Sequence, residues 1–144
     1  MAIPPLTRSI GAAERSMRAL LDRELSRYGL SFPHWTALVF AAEEGLPQHL
    51  IAQRQLAGRV VATEVETGEA VDELVRQGLL FANPAGSLQQ TEKGRATFTD
   101  ISKAVESITA SLYGDLPQAD LEATHRTLME VGNRAARLLA EDQK

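Results

Sequence analysis

The sequence predicts a mainly α-helical domain: three helices, a short fourth one, a β-hairpin and two long helices. Three observations lead there. Apolar residues recur at three- and four-residue steps over most of the chain, the spacing of amphipathic helices. One stretch, residues 79–90, changes to two short runs around a cluster of turn formers, the pattern of a hairpin. Glycines and prolines fall where helices should stop or start, at Gly29, Pro33, Gly45, Gly78 and Pro117.

Pro4 and Pro5 set an extended lead-in to the first helix, whose stripe is Leu6, Ile10, Ala13, Met17, Leu20, Leu21, Leu25 and Tyr28. Arg8, Arg15, Arg18, Arg23 and Arg27 ride on its other faces, and Gly29 is placed to end it. Ser31 is the N-cap expected for the second helix, with Pro33 in the first turn, where a missing N–H costs nothing. Trp35, Leu38, Val39 and Ala42 form its apolar face and Gly45 closes it. "LPQHLIAQRQLAGRVV" continues as a third helix ending near Val60.

Thr63 followed three residues later by Glu66 has the form of a capping box for the fourth helix. Thr67, Ala70, Val71 and Leu74 then share one face, and Gly78 stops the helix. Gly68, inside it, should cost about 1 kcal/mol relative to alanine. The runs Leu79–Ala82 and Ser87–Gln90 flank Asn83, Pro84, Ala85 and Gly86 as a hairpin. Thr91 caps a long helix striped by Phe98, Ile101, Val105, Ile108, Leu112 and Leu116. The last helix, from about Gln118, carries Leu121, His125, Leu128, Val131, Ala135, Leu138 and Leu139. There is no internal repeat and no low-complexity segment.

A chain of 144 residues is the size of one domain with a real core. With 5% aromatic residues, aliphatic side chains must fill most of that core. The absence of cysteine removes disulfide scaffolds, thiolate metal sites and thiol redox sensing. His34, His49 and His125 are scattered, with neither HxxxH nor HExxH spacing, so no metal or other cofactor is expected. A Gly-rich phosphate loop, a GxSxG elbow and a Cys–His pair are all missing, which speaks against an enzyme. "MAIPPLTRSI" does not read as a signal peptide, and no apolar run approaches the ~20 residues of a membrane span, so a cytoplasmic location is expected. The formal charge of −4 gives no general attraction to nucleic acid.

Several motifs, taken in order, carry a resemblance. "YGLSFPHWTAL" looks like a "GLT-x-PQW-x-x-L" helix opening, and "QLAGRV" looks like an "eLA-x-R-l" signature. Leu56 to Gly78 fits helix–turn–helix spacing without a gap. "DELVRQGLL" leads out of the fourth helix, and "TEKGRATF" looks like an "LTEKG" start of the next long one. Together they resemble the MarR family of transcription regulators, which are winged helix-turn-helix dimers. The resemblance spans nearly the whole chain. It implies a single MarR-like domain over 1–144, with dimerisation helices at 1–30 and 92–144. Residues 31–91 would be the winged helix-turn-helix module with a two-stranded wing. Independently, three long amphipathic helices carry more apolar surface than a small module can cover, and a symmetric dimer is the simplest remedy.

By the same resemblance, double-stranded DNA would meet Arg54, Arg59 and Arg76 at its phosphates. It would meet Thr63, Val65, Glu66 and Glu69 at the recognition helix, and Ser87 and Gln89 at the wing. The module departs from the family in charge. Residues 48–94 hold four bases, Arg54, Arg59, Arg76 and Lys93, against Glu64, Glu66, Glu69, Asp72, Glu73 and Glu92. The outer face of the fourth helix has none of the arginine, lysine, asparagine or glutamine that read purines. Glutamate can still accept from cytosine N4, and valine can touch a thymine methyl. Glu64 and Glu66 are also explained by the positive end of the helix dipole. The wing is short, lacks the family's Asp-x-Arg, and has Gln90 where the family usually has leucine.

A small aromatic or anionic ligand, as the family commonly binds, would be lined by Tyr28, His34 and Trp35, with Arg18 as anion partner. By its spacing alone, Trp35 falls at a core-facing position of the second helix. Two functions stay open at this stage. One is a ligand-responsive homodimeric regulator that binds DNA through residues 53–90. The other is a winged-helix dimer that has lost DNA binding and serves ligand or protein interaction.

Overall fold

The computed structural model describes residues 2–42 and 45–142. Its elements are α1 (Leu6–Ser26), α2 (Phe32–Phe40), β1 (Leu46–Pro47), α3 (Gln48–Ala57), α4 (Glu64–Arg76), β2 (Leu80–Ala82), β3 (Ser87–Gln90), α5 (Glu92–Tyr113) and α6 (Gln118–Glu141). The chain divides into two compact units after Glu106. Among the described residues, no helix is long and apolar enough to cross a membrane.

The first unit has one hydrophobic core. Leu25, Leu38, Ile51, Leu74, Leu80 and Ile101 are its largest fully buried apolar side chains, drawn from six different elements. Each such burial is worth about 1.5–3 kcal/mol relative to exposure. Thr67, Ala70, Val71 and Leu74 are the buried face of α4, as their spacing predicts.

Three helix ends share one geometry. After α1, the Gly29 N–H bonds Ser26 O and the Leu30 N–H bonds Leu25 O. After α4, Gly78 bonds Val75 O and Leu79 bonds Leu74 O. Both glycines have positive φ, as this Schellman arrangement requires. After α3 the same pair of bonds runs from Arg59 to Leu56 O and from Val60 to Gln55 O. Here the left-handed residue is Arg59, at φ 58°. The third helix therefore stops at Ala57, three residues before the predicted end. Gly58 precedes the left-handed position instead of filling it.

The second helix also ends early, at Phe40. Gly45 has a different use: a Cβ there would lie 2.7 Å from Gln89 Cγ and 3.0 Å from Leu88 O. The bare backbone lets β1 come up against β3. That strand, only Leu46 and Pro47, escapes sequence reading because two residues show no period. Leu46 pairs with Leu88 and Pro47 with Ser87. The predicted two-stranded hairpin forms as β2 and β3. To it β1 adds a third strand that sequence reading did not show, giving an antiparallel sheet in the order β1-β3-β2 with Pro47 on an edge strand. In the hairpin itself Leu80 pairs with Gln90 and Ala82 with Leu88.

The hairpin turn follows its residues. The Asn83 carboxamide oxygen accepts from the Ala85 and Ser87 N–H groups at 3.0 Å each, and Gly86 takes φ 86°. At the start of α5, Thr91 Oγ1 accepts from the Gly94 N–H at 2.9 Å, and the Thr91 hydroxyl donates to Gly78 O. A Cβ on Gly94 would sit 2.0 Å from Leu79 O, so only glycine lets α5 leave the sheet this closely. In the second unit, no residue of α6 is buried, and Leu128, Met129, Val131, Leu138 and Leu139 are exposed.

Candidate nucleic-acid interface

The helix pair α3–α4 is held from inside by a polar link. Gln55 is fully buried. Its Nε2 donates to Pro33 O and to Thr36 Oγ1, both at 2.8 Å, and its Oε1 accepts the Thr67 hydroxyl at 2.6 Å. One carboxamide thus ties α2, α3 and α4 together. A buried polar group is tolerated when its donors and acceptors are paired, as here. A second carboxamide joins the sheet to α2. The Ala42 N–H bonds Val39 O, and Gln90 Nε2 donates to Leu38 O at 2.9 Å. The last carbonyls of a helix need such outside donors, which gives Gln90 a structural reason in place of leucine.

With Thr67, Ala70, Val71 and Leu74 turned inward, α4 presents Val65, Glu66, Glu69 and Asp72 outward. Val65 is 68% exposed. The predicted capping box does not form as expected. Thr63 is the N-cap but makes no side-chain cap bond, and the Glu66 carboxylate accepts from the Ala62 N–H at 3.2 Å, one residue further out. Glu66 is thereby occupied with the chain entering α4, while Glu69 and Asp72 have no such partner among the described hydrogen bonds.

The basic residues are spread around this face. The Arg59 side chain is exposed beside the left-handed turn. Arg54 is exposed, its guanidinium 5.6 Å from the Phe40 ring centroid. Arg76 pairs with Glu73, and Lys93 Nζ donates to Gln77 O at 2.9 Å. The Gln77 amide, then Arg76, hold the Glu73 carboxyl below its ordinary pKa. In the wing, Ser87 and Gln89 are half-buried, and Gln89 packs over Gly45. Between Leu79 and Thr91 the wing carries no basic side chain.

Sequence reading missed two residues of this surface. Gln48 and His49, at the first turn of α3, line an open groove of about 570 Å³ with Ala52 and with Glu64, Val65, Gly68, Glu69 and Asp72 of α4. The signal available was Gly68, a glycine inside a helix without a turn to serve. Among the described residues, no group of three or more His, Asp or Glu side chains could hold a metal ion.

Arg18, Tyr28, His34 and Trp35 each have a local partner. Trp35 stacks on Phe98 with ring centroids 5.5 Å apart and packs, with Tyr28, against the core. The Arg18 guanidinium lies 3.5 Å above the Phe32 ring and pairs with Glu14 at 2.9 Å. His34 Nδ1 accepts from the Ser31 N–H at 3.0 Å and lies 2.7 Å from Ser31 Oγ, so the imidazole completes the N-terminal cap of α2. Burial lowers the His34 pKa, and the negative Glu73 opposes that shift.

Neither a protein-family profile nor a curated protein matches the chain. Solved structures do. A MarR family protein, Rv2887 of Mycobacterium tuberculosis, in complex with DNA aligns with a TM-score of 0.71 at 20% identity, over 90% of this chain and 99% of that one. CouR from Rhodococcus jostii RHA1, bound to p-coumaroyl-CoA, aligns at 0.70 and 19% identity, over 88% of this chain and 90% of that one. A Listeria innocua protein of unknown function aligns at 0.71 and 20% identity, over 90% and 91%. The helix order, the hairpin after the fourth helix and these alignments agree: the chain has the winged helix-turn-helix fold of the MarR family regulators.

Proposed function

We propose that this chain is a MarR-like transcriptional regulator that binds double-stranded DNA as a homodimer and responds to a small ligand. The observation that carries the reading is the α3–α4 pair, locked by Gln55 and Thr67, with Val65, Glu66, Glu69 and Asp72 of α4 exposed on its outer face. The fold it shares with a protein solved on DNA supports it. Arg54, Arg59 and Arg76 are the phosphate-binding groups, and Val65 and Glu69 face the major groove. Ser87 and Gln89 make the wing's approach.

The dimer rests on uncovered apolar surface. Leu6, Ile10 and Met17 of α1 are exposed, as are Leu112 and Tyr113 of α5 and the α6 residues named above. A second copy removes such stripes from water at about 25 cal/mol per Å². Two recognition helices would then engage half-sites about one helical turn apart, and a ligand would act by changing their separation. Salicylic acid and p-coumaroyl-CoA are bound in solved neighbours, which supports an aromatic, anionic ligand here, with Arg18 as its counter-ion.

The acidic face of α4 favours a second reading, a dimer of the same build that has lost DNA binding. The two part in a salt series. Binding of duplexes flanking the protein's own gene, followed from about 50 to 200 mM salt, should fall steeply for a DNA binder. Weak binding that barely changes with salt on every fragment would reject the regulator. Sedimentation as a single subunit at micromolar concentration would reject the dimer.

A further inference from the structure

The α4 face offers carboxylates and a valine, whereas bidentate reading of adenine needs a group that both donates and accepts. The neighbouring helix supplies one. Gln48 is the first residue of α3, exposed, and its Nε2 lies 3.4 Å from the point where a Cβ on Gly68 would stand. Outside α4's own backbone and the chain neighbours of Gly68, no other described atom comes within 4 Å of that point. The end of the carboxamide therefore lies against α4 at Gly68, and Gln48 lines the groove together with Val65 and Glu69.

Gly68 itself needs a reason. Glycine in a helix interior is destabilising relative to alanine. Packing does not demand it, because an added methyl would meet only the flexible end of Gln48 at ordinary contact distance. Its φ is not positive, so no turn demands it either. What remains is space: the bare helix surface lets the Gln48 amide lie close over the backbone.

We infer that Gln48 is the adenine-reading residue of this protein, its amide resting over the bare backbone at Gly68 on the exposed side of α4. Glutamine pairs with adenine through N6 and N7 in the major groove, and its NH₂ is a donor that the carboxylates around it cannot provide. The inference rests on the DNA-binding reading above.

The test is selection of the full-length protein on a randomised duplex library at low salt, repeated for Gln48→Ala, Gln48→Glu and Gly68→Leu. Circular dichroism confirms that each variant keeps its helices. The wild type should enrich a motif with an adenine in each half-site. Gln48→Ala should lose that preference by about tenfold while other positions stay selected. Gln48→Glu should move the preference toward cytosine, and Gly68→Leu should erase it. Replacing the selected adenine by 7-deazaadenine should weaken wild-type binding and leave Gln48→Ala unchanged. An identical motif from wild type and Gln48→Ala overturns the role of Gln48 and leaves DNA binding standing. Absence of any duplex binding overturns both.

Discussion

Thr67 donates its hydroxyl hydrogen to Gln55 Oε1 at 2.6 Å, joining the outward-facing helix α4 to α3 through a bond that is wholly buried. The same carboxamide reaches α2 at Pro33 O. Gln55→Ala should therefore lose about 2–4 kcal/mol, from lost packing and from the Thr67 hydroxyl left unpaired, since Pro33 O keeps the Thr36 hydroxyl. Pairing Gln55→Met with Thr67→Val should recover part of that loss. Equilibrium urea denaturation of both variants measures it, and strictly additive effects would mean the bond is not a coupled unit.

Gln90 makes a prediction opposite to the one family resemblance suggests. Restoring the common leucine at this position removes the donor to Leu38 O inside the protein. Gln90→Leu should destabilise by about 1–3 kcal/mol despite the added apolar surface. A rise in melting temperature would show that Leu38 O is satisfied without it.

At Gly94 the backbone of α5 passes so close to Leu79 O that a methyl group cannot fit. Gly94→Ala raises helix propensity locally but forces the helix away from the sheet. The expected loss is about 1–3 kcal/mol or more, against a gain near 1 kcal/mol had the site been open. Thermal unfolding of the variant decides the sign.

Arg59 holds the left-handed position after α3, where a side chain costs roughly 1 kcal/mol or more. Arg59→Gly should stabilise the fold by about 0.5–1 kcal/mol. Under the proposed DNA-binding role it should also lower the magnitude of the log–log salt slope by roughly 0.9, the share of one phosphate contact. Unchanged salt dependence with raised stability would assign Arg59 to the helix end alone.

His34 gives a pH dependence whose sign follows from its burial. Its folded-state pKa is depressed, chiefly by burial, below the ordinary 6.5. The unfolded chain then binds the proton more readily. The stabilisation is fully present above pH 6.5 and is lost as pH falls through the lowered folded value. Protonation also removes the Nδ1 lone pair that accepts the Ser31 N–H. Glu73, with its own pKa lowered, loses its stabilising bonds only in more acid solution. His34→Gln keeps an acceptor for the cap and should flatten stability between pH 8 and 5. An unaltered profile would place the dependence elsewhere.

How much of this was readable in the chain follows from the range of each interaction. The buried face of α4, the hairpin around Asn83 and Gly86, and the helices from Leu6 and Gln118 were legible, because their signals lie within a few residues: a 3.6-residue period, a turn sequence, a cap. The misses were of another kind. β1 exists only because β3 pairs with it, forty residues away in the sequence. Glu66 could be recognised as a capping carboxylate, but choosing Ala62 over Thr63 depends on how the chain enters α4.

The sequence by itself determined the order of the six helices and the hairpin, the amphipathic faces and the acidic character of α4, since composition and periodicity are local and additive. Tertiary structure alone decided that Gln55 and Gln90 are internal ties and that Gln48 lies beside Gly68. It also decided that Gly94 is forced by Leu79. Those facts depend on which distant groups meet at hydrogen-bond or van der Waals range, and such meetings are set by packing among helices, not by any spacing along the chain.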